Sequence, residues 1–223
     1  MNILAIDTSG EYCTLALWID GEVLSREKHA GQNHSQVLLP LLNDLLAESG
    51  MSLKRLDGIA FGAGPGSFTG LRIACGVAQG LAFAMDLPVA GICTLEALAE
   101  AMPGRQVIAS LDARMGEIYH AAYKKHDDRW QEVSPPALWA PLHAPSVAGS
   151  GWIGCGSGFA VYAEQLELRY RGQLSAVIAD AVPRAREMAR LAVGVLQRGE
   201  GCAAEAAAPL YLRDKVALKT FER

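Results

Sequence analysis

One stretch constrains this chain more than any other. It is a glycine-rich loop that runs straight into a helix made almost wholly of small and apolar residues. The loop reads Gly62-Ala63-Gly64-Pro65-Gly66-Ser67-Phe68-Thr69-Gly70-Leu71-Arg72, and the helical pattern continues to Met85. The short apolar run Gly58-Ile59-Ala60-Phe61 before it reads as a buried strand, so the unit is strand, loop, helix. Such a loop aims backbone N–H groups at one point, and the helix start adds partial positive charge. It therefore serves either as a phosphate cradle or as a turn that lets two backbones pack closely. No Lys-Ser/Thr pair follows the glycines, which excludes a P-loop. The spacing Gly64-x-Gly66-x-x-Thr69 lacks the third glycine of the dinucleotide fingerprint. Pro65 and Thr69 stand where a nucleophile elbow around Ser67 would need glycine.

The helix is more informative. Residues four apart line up as ridges. Gly70, Ala74, Ala78 and Ala82 form one small ridge, and Gly76, Gly80 and Ala84 a second. Ile73, Val77, Leu81 and Met85 form a bulky apolar ridge between them, and only Arg72 and Gln79 are polar. A surface helix carries a wide polar face. This pattern predicts a helix covered on most sides, by its own sheet and by something else: either the rest of the core or a second protein. Interior glycines cost about 1 kcal/mol each relative to alanine, and close packing offsets that cost.

At 223 residues the chain suits one large domain or two small ones. With 51% hydrophobic and 20% charged residues it reads as an ordinary soluble protein. The net charge of -4 argues against stand-alone binding to nucleic acid or to an anionic membrane. The N-terminus has no basic n-region and meets Asp7 early, unlike a signal peptide. No apolar run reads as long enough to span a membrane. Cys13, Cys75, Cys93, Cys155 and Cys202 are scattered, without a Cys-x-x-Cys, as in reduced cores of cytoplasmic proteins. No two histidines stand four apart, so a helical metal pair is not expected.

Strands are expected at Asn2 to Asp7, Tyr12 to Ile19 and Glu22 to Lys28, the last two joined by an Asp20-Gly21 turn. A leucine-rich helix follows over roughly Ser35 to Glu48, capped by Asn33 or Ser35 and ended by Gly50, with Pro40 near its first turn or kinking it. Thr94 is the expected cap of a helix from Leu95 to Ala101. Pro103-Gly104 marks a boundary between residues 1–104 and 105–223. Beyond it the pattern restarts. Leu111-Asp112-Ala113-Arg114-Met115-Gly116-Glu117 echoes Ile6-Asp7-Thr8-Ser9-Gly10-Glu11, a faint repeat that suggests two similar halves facing a cleft. Pro183 to Gln197 reads as a further helix, Leu210-Tyr211-Leu212 as a last apolar run, and the final ten or so residues as a frayed end.

These residues closely resemble the bacterial TsaB (YeaZ) family, over Ile3 to about Arg213. Four stretches carry the resemblance: Ile3 to Ser9, Gly62 to Arg72, Leu111 to Tyr119, and Pro209-Leu210-Tyr211-Leu212-Arg213. It implies an α/β chain of two ribonuclease-H-like lobes in the actin/sugar-kinase/Hsp70 (ASKHA) fold. It also implies a cytoplasmic accessory subunit of the machinery that makes N6-threonylcarbamoyladenosine at A37 of tRNAs reading ANN codons. The implied partners are a TsaD-type catalytic subunit and a TsaE-type ATPase, with a homodimer when the partner is absent. Contact with tRNA would come only through the complex, and none with membrane is implied. In this superfamily the turn after the first strand meets nucleotide phosphate or its metal. That makes Asp7, Thr8 and Ser9, with Gly64 and Gly66, the candidate site for ATP or ADP and Mg²⁺, at the cleft or at the partner interface. Asp7 either binds hydrated Mg²⁺ or caps its own turn.

The departures from the catalytic sister family matter as much. Where a TsaD-type chain carries His-x-x-x-His, this one has Thr94 and Leu98, and leucine binds no metal. Where TsaD has a Ser-Gly-Gly phosphate turn, this chain has Asp112-Ala113-Arg114-Met115, expected to form a structural ion pair. No catalytic or metal-ligating residue is therefore assigned. The expected docking face combines Leu38, Leu41, Leu42 and Leu45 of the leucine-rich helix with Ile73, Gly76, Val77 and Gly80 of the small-residue helix. Two alternatives differ in class. An active small-molecule kinase would need Asp112 as its acid, and a metallopeptidase would need the missing ligand pair.

Overall fold

The computed structural model describes residues 1–213, and the expected frayed end at 214–223 lies outside the described residues. The first half contains β1 (Asn2–Asp7), β2 (Tyr12–Ile19), β3 (Glu22–His29), α1 (His34–Ser49), β4 (Gly58–Gly64), α2 (Phe68–Met85), β5 (Val89–Cys93) and α3 (Thr94–Glu100). The second contains β6 (Gln106–Arg114), β7 (Glu117–His126), β8 (Arg129–Trp139), β9 (Trp152–Cys155), α4 (Ser157–Val161), α5 (Ala163–Arg169), β10 (Leu174–Ile178) and α6 (Ala185–Gln197).

The strands form two five-stranded sheets, ordered β3-β2-β1-β4-β5 and β8-β7-β6-β9-β10. In each, the first three strands are an antiparallel meander, while the fourth and fifth run parallel to the first. The halves thus share one topology, and the faint sequence repeat reflects a duplicated sheet. The chain is an α/β protein with two ribonuclease-H-like lobes of the ASKHA kind. Asp20 and Gly21 both take positive φ, 48° and 104°, as a two-residue hairpin turn requires.

Alternation along β1 sends Leu4 and Ile6 to one face, and Ile3 and Ala5 to the other. The first pair packs under α1 and α2, with Leu38, Leu42, Leu45, Ala74, Ala78 and Ala82. The second packs with Ala16 and Ala60 against Met188, Ala189 and Ala192 of α6. In the second sheet, Ile108 and Ile118 pack with Phe159, Leu166 and Tyr170 of the α4–α5 region. Val107, Ala109 and Ala121 pack against Leu95, Leu98 and Ala99 of α3. The sheets part at Pro103-Gly104, but the packing does not follow that break. α3, which follows the fifth strand of the first sheet, covers the second sheet. α6, which follows the fifth strand of the second sheet, covers the first.

Local details differ from expectation. Asn33 precedes α1 without a side-chain capping bond, and Pro40 lies inside the helix. Thr94 is the first residue of α3, and Cys93 stands at the N-cap position without a side-chain capping bond. α2 buries Gly70, Leu71, Ala74, Cys75, Ala78 and Ala82 but leaves Gly76, Gly80, Phe83 and Ala84 exposed, so its intramolecular cover is one-sided. Contrary to the sequence reading, α2 has the length (18 residues) and mean hydropathy (1.3) to cross a membrane. Its small ridge is instead packed on the first sheet, as in a core helix.

Candidate functional site

The turn after β1 and the glycine-rich loop after β4 are built into each other. Asp7, Thr8 and Ser9 are buried. The Asp7 carboxylate accepts the Ser9 N–H at 3.2 Å and the Ser9 hydroxyl at 3.1 Å, so it caps its own turn. The Thr8 hydroxyl donates to the Gly70 carbonyl at 2.6 Å. The Ser67 N–H donates to the Ser9 carbonyl at 2.8 Å, and the Ser67 hydroxyl caps α2 by accepting the Gly70 N–H at 3.3 Å. A Cβ at Gly62 would overlap Asp7 Oδ1, one at Gly66 would lie 2.6 Å from the Ser9 carbonyl oxygen, and one at Gly70 would overlap the Thr8 carbonyl. Of the two readings of the loop, these contacts match the close-packing turn.

Burial pushes the Asp7 carboxyl up to about 7, against the opposing pull of its bonds to Ser9 and Thr8. Hydrated Mg²⁺ needs carboxylate oxygens open to its water shell. Asp7, 1% exposed, with Oδ1 against Gly62 and both oxygens bonded to Ser9, offers none, so these residues as arranged do not fit a magnesium nucleotide.

The loop's other side is covered by the chain's last described stretch. Cys202 exchanges backbone bonds with Val89 at 2.8 and 2.9 Å. The Gln79 side chain donates to the Ala207 carbonyl at 3.0 Å, and the Leu210 N–H donates to the Ala63 carbonyl at 2.7 Å. A Cβ at Gly64 (φ +121°) would lie 2.8 Å from the Leu210 carbonyl oxygen. Tyr211 packs on Phe68, and its hydroxyl accepts the Arg72 Nε–H at 2.9 Å. Arg213 then reaches the second lobe, bonding the Ala113 carbonyl and pairing with Glu117, both at 2.9 Å. Between strap and loop remains a cavity of about 60 Å³, lined among others by Gly66, Phe68, Tyr119 and Tyr211. Sequence reading saw Leu210-Tyr211-Leu212 only as an apolar run and missed its role as a strap.

The second lobe repeats the arrangement. Gly156 and Gly158 press against Ser110 as the first-lobe glycines press against Thr8 and Ser9. The Asp112 carboxylate accepts the Arg114 N–H at 2.8 Å and the Tyr162 hydroxyl at 3.2 Å. The expected Asp112–Arg114 ion pair is not formed: the carboxylate takes the backbone of Arg114, whose φ of +61° turns the chain there. Arg213 and Glu117 make the ion pair at this turn instead.

Thr94 and Leu98 are fully buried. The Thr94 hydroxyl donates to the Pro65 carbonyl at 2.5 Å, while Leu98 packs on the second sheet. Among the described residues, no three His, Cys, Asp or Glu side chains group as a metal site.

The docking candidates separate by burial. Leu38, Leu42 and Leu45 are 1%, 3% and 0% exposed and belong to the core, which corrects their assignment to a docking face. Leu41, Ile73 and Val77 are half-buried, and Gly76 and Gly80 are exposed, with nothing among the described residues within 4 Å of an added Cβ. Sequence reading missed Phe83, 78% exposed, and Leu39, 51% exposed. Gly76, Gly80 and Phe83 follow one another on a single face of α2.

The chain is similar to known proteins over nearly its whole length. The profile of a family described as "TsaD: tRNA N6-adenosine threonylcarbamoyltransferase" matches residues 26–221. The tRNA threonylcarbamoyladenosine biosynthesis protein TsaB of Escherichia coli is 37% identical, covering 98% of this chain and 97% of that protein. Its namesake in Haemophilus influenzae is 36% identical, covering 98% and 96%. The solved structure of YeaZ from Pseudomonas aeruginosa superposes with a TM-score of 0.88 at 39% identity, covering 95% of this chain and 99% of that one.

Proposed function

The chain belongs to the TsaB (YeaZ) family of tRNA threonylcarbamoyladenosine biosynthesis proteins, and from that premise we propose that it acts as the non-catalytic partner of a TsaD-type transferase. With a TsaE-type ATPase it supports threonylcarbamoyl transfer to N6 of A37 in tRNAs reading ANN codons, in the cytoplasm. It meets tRNA only within that complex.

The observation that carries this reading is the uncovered face of α2. Gly76 and Gly80 sit in mid-helix, where each costs about 1 kcal/mol relative to alanine. Among the described residues, nothing approaches them closely enough to need a glycine. One turn beyond Gly80, the Phe83 ring stands 78% exposed. A flat strip followed by an aromatic knob, with half-buried Ile73, Val77 and Leu41 beside it, suits close packing against the helices of another chain. The same face supports a homodimer when the transferase is absent.

The cleft supports the non-catalytic part. Its turns are filled by their own glycines and by the strap, and Thr94 and Leu98 serve packing. Asp7 as arranged does not hold ATP or ADP with Mg²⁺, which leaves the partner interface as the place for such a ligand. The kinase alternative is not favoured, because Asp112 is engaged by Tyr162 and the Arg114 backbone.

Replacing Gly76 or Gly80 by tryptophan is expected to abolish co-purification with the TsaD-type subunit, and tRNA modification in a reconstituted system, while the monomer melts normally. Ala78, fully buried, is unsuitable for this test because a bulky residue there would disrupt the core. Unchanged co-purification with both variants would remove the interface. ATP turnover or threonylcarbamoyl transfer by this chain alone, at an enzymatic rate, would remove the accessory role.

A further inference from the structure

The two sheets have four edges, and three of them are guarded against pairing with another chain. β3 carries Glu22, Arg26, Glu27 and Lys28. β5 is covered by Cys202, which bonds Val89. β8 carries Pro135 and Pro136 with Arg129 and Glu132. Charges, prolines and covering segments are the usual means of blunting an edge strand. β10, Leu174-Ser175-Ala176-Val177-Ile178, has no charge and no proline, and its middle three residues are exposed. Among the described residues it pairs only with β9. Its one irregularity falls between Leu174 and Ala176, and Ala176 to Ile178 run in register with Ile153 to Cys155.

Alongside this bare edge lies a groove of about 570 Å³ between β10 and α5, lined by Glu164, Glu167, Leu168, Arg171 and Val177 among others. Leu168 is 54% exposed. Among the described residues, neither glutamate nor Arg171 has an ion-pair partner. Because α5 lies in the crossover between parallel β9 and β10, it runs back against the strand direction. The two glutamates therefore stand toward the end of β10, Arg171 toward its start, and Leu168 between them.

An edge with acid at one end, base at the other and an apolar middle is complementary to itself under a two-fold axis. Isologous interfaces require that property. We infer that β10 and α5 form a self-association surface, on which a second copy of this chain pairs β10 against β10 antiparallel. The two sheets then continue as one. Glu164 and Glu167 of each copy face Arg171 of the other, and the Leu168 side chains meet near the axis. This surface is on the second lobe, away from α2, and does not depend on the transferase-facing role of that helix. With α2 occupied by a transferase, β10 pairing gives a two-to-two assembly.

The test combines charge reversal with a local readout. Hydrogen exchange at the amides of Ser175 and Val177 is followed as the chain is concentrated from micromolar to several hundred micromolar. Arg171→Glu is compared with the double variant Glu164→Lys, Glu167→Lys, and with an equimolar mixture of the two. All three positions are exposed, so the variants are expected to fold, which circular dichroism checks. Wild-type amides should gain protection with concentration. Each variant alone should need about tenfold more protein to reach it, and the mixture should restore it. A dimer through α2 would leave these amides unprotected and would not respond to the charge pattern. Exchange at β10 that is independent of concentration, or a mixture no better than its components, would overturn the inference.

Discussion

Gly70 and Thr8 hold each other from both sides: the Thr8 hydroxyl donates to the Gly70 carbonyl at 2.6 Å, and the Thr8 carbonyl occupies the space a Gly70 Cβ would need. An alanine in a helix interior normally gains about 1 kcal/mol over glycine. At Gly70 the clash is with backbone, which yields poorly, so Gly70→Ala should destabilise by about 2 kcal/mol or more. Gly76→Ala and Gly80→Ala meet no such obstacle and should each stabilise by about 0.5–1 kcal/mol. Urea denaturation of the three variants measures this. A common sign at all three positions would mean that the two ridges of α2 do not differ as described.

Asp7 makes stability depend on pH. Its folded value of about 7 lies above the ordinary 3.8, so between those limits the folded chain holds a proton that the unfolded chain has released. The contribution is complete below about pH 4, declines as pH rises toward 7, and is gone above that. Its size is on the order of a few kcal/mol. Asp7→Asn keeps an acceptor for the Ser9 N–H and cannot ionise. The stability of the wild-type chain relative to this variant should therefore fall from pH 4 to pH 7 and stay level above. Parallel curves across that range would show that Asp7 does not titrate there.

What could be read from the sequence was what repeats locally. The periodicity of β1 to β5, the turn at Asp20-Gly21 and the ridges of α2 follow from neighbours a few residues apart, and the structure has them. The echo between Asp7 and Asp112 was visible because both carboxylates cap a turn in the same place of a duplicated sheet. Long-range choices were not visible. Nothing local says that α6 returns to the first sheet, or that Leu210 runs along Ala63, because both contacts close over long separations in the chain. The leucines of α1 show the limit of a stripe. Leu38, Leu42 and Leu45 have the spacing of any apolar face, and only the position of β2 and β1 decides that this face is core. On α2, spacing distinguished two small ridges but could not say which one meets the sheet.

The strap should be the first part of the cleft to open. Its end is held by Arg213, through the Ala113 carbonyl and Glu117, while Tyr211 stays 45% exposed over Phe68. Arg213→Ala removes that anchor at a cost of about 1 kcal/mol. The loss is local, so the global melt should barely move, while exchange of the Leu210 amide, bonded to Ala63, should speed up about fivefold or more. An unchanged Leu210 exchange rate would show that the strap is held by Tyr211 and the Ala207 bonds without help from Arg213.

Deeper in the second lobe, His120 and Tyr170 form a buried polar pair whose roles are fixed by geometry. The Tyr170 hydroxyl lies 2.7 Å from His120 Nε2 and 3.0 Å from the Pro145 carbonyl. With one proton, the hydroxyl donates to the carbonyl and accepts from Nε2–H, which leaves Nδ1 as the nitrogen without a partner among the described residues. Burial, with a smaller push from Arg169, lowers His120 to about 3, so it stays neutral in the fold. A base whose folded value lies below its unfolded 6.5 contributes stability above that pH and loses it on acidification toward 3. Tyr170→Phe strands the Nε2–H and the Pro145 carbonyl, and should cost about 2–3 kcal/mol at neutral pH. His120→Gln cannot take up the proton, so the wild-type chain should lose stability relative to it as pH falls below about 6.5. Denaturant midpoints at a series of pH values measure both effects. A wild-type acid limb that survives in His120→Gln would place the responsible group elsewhere.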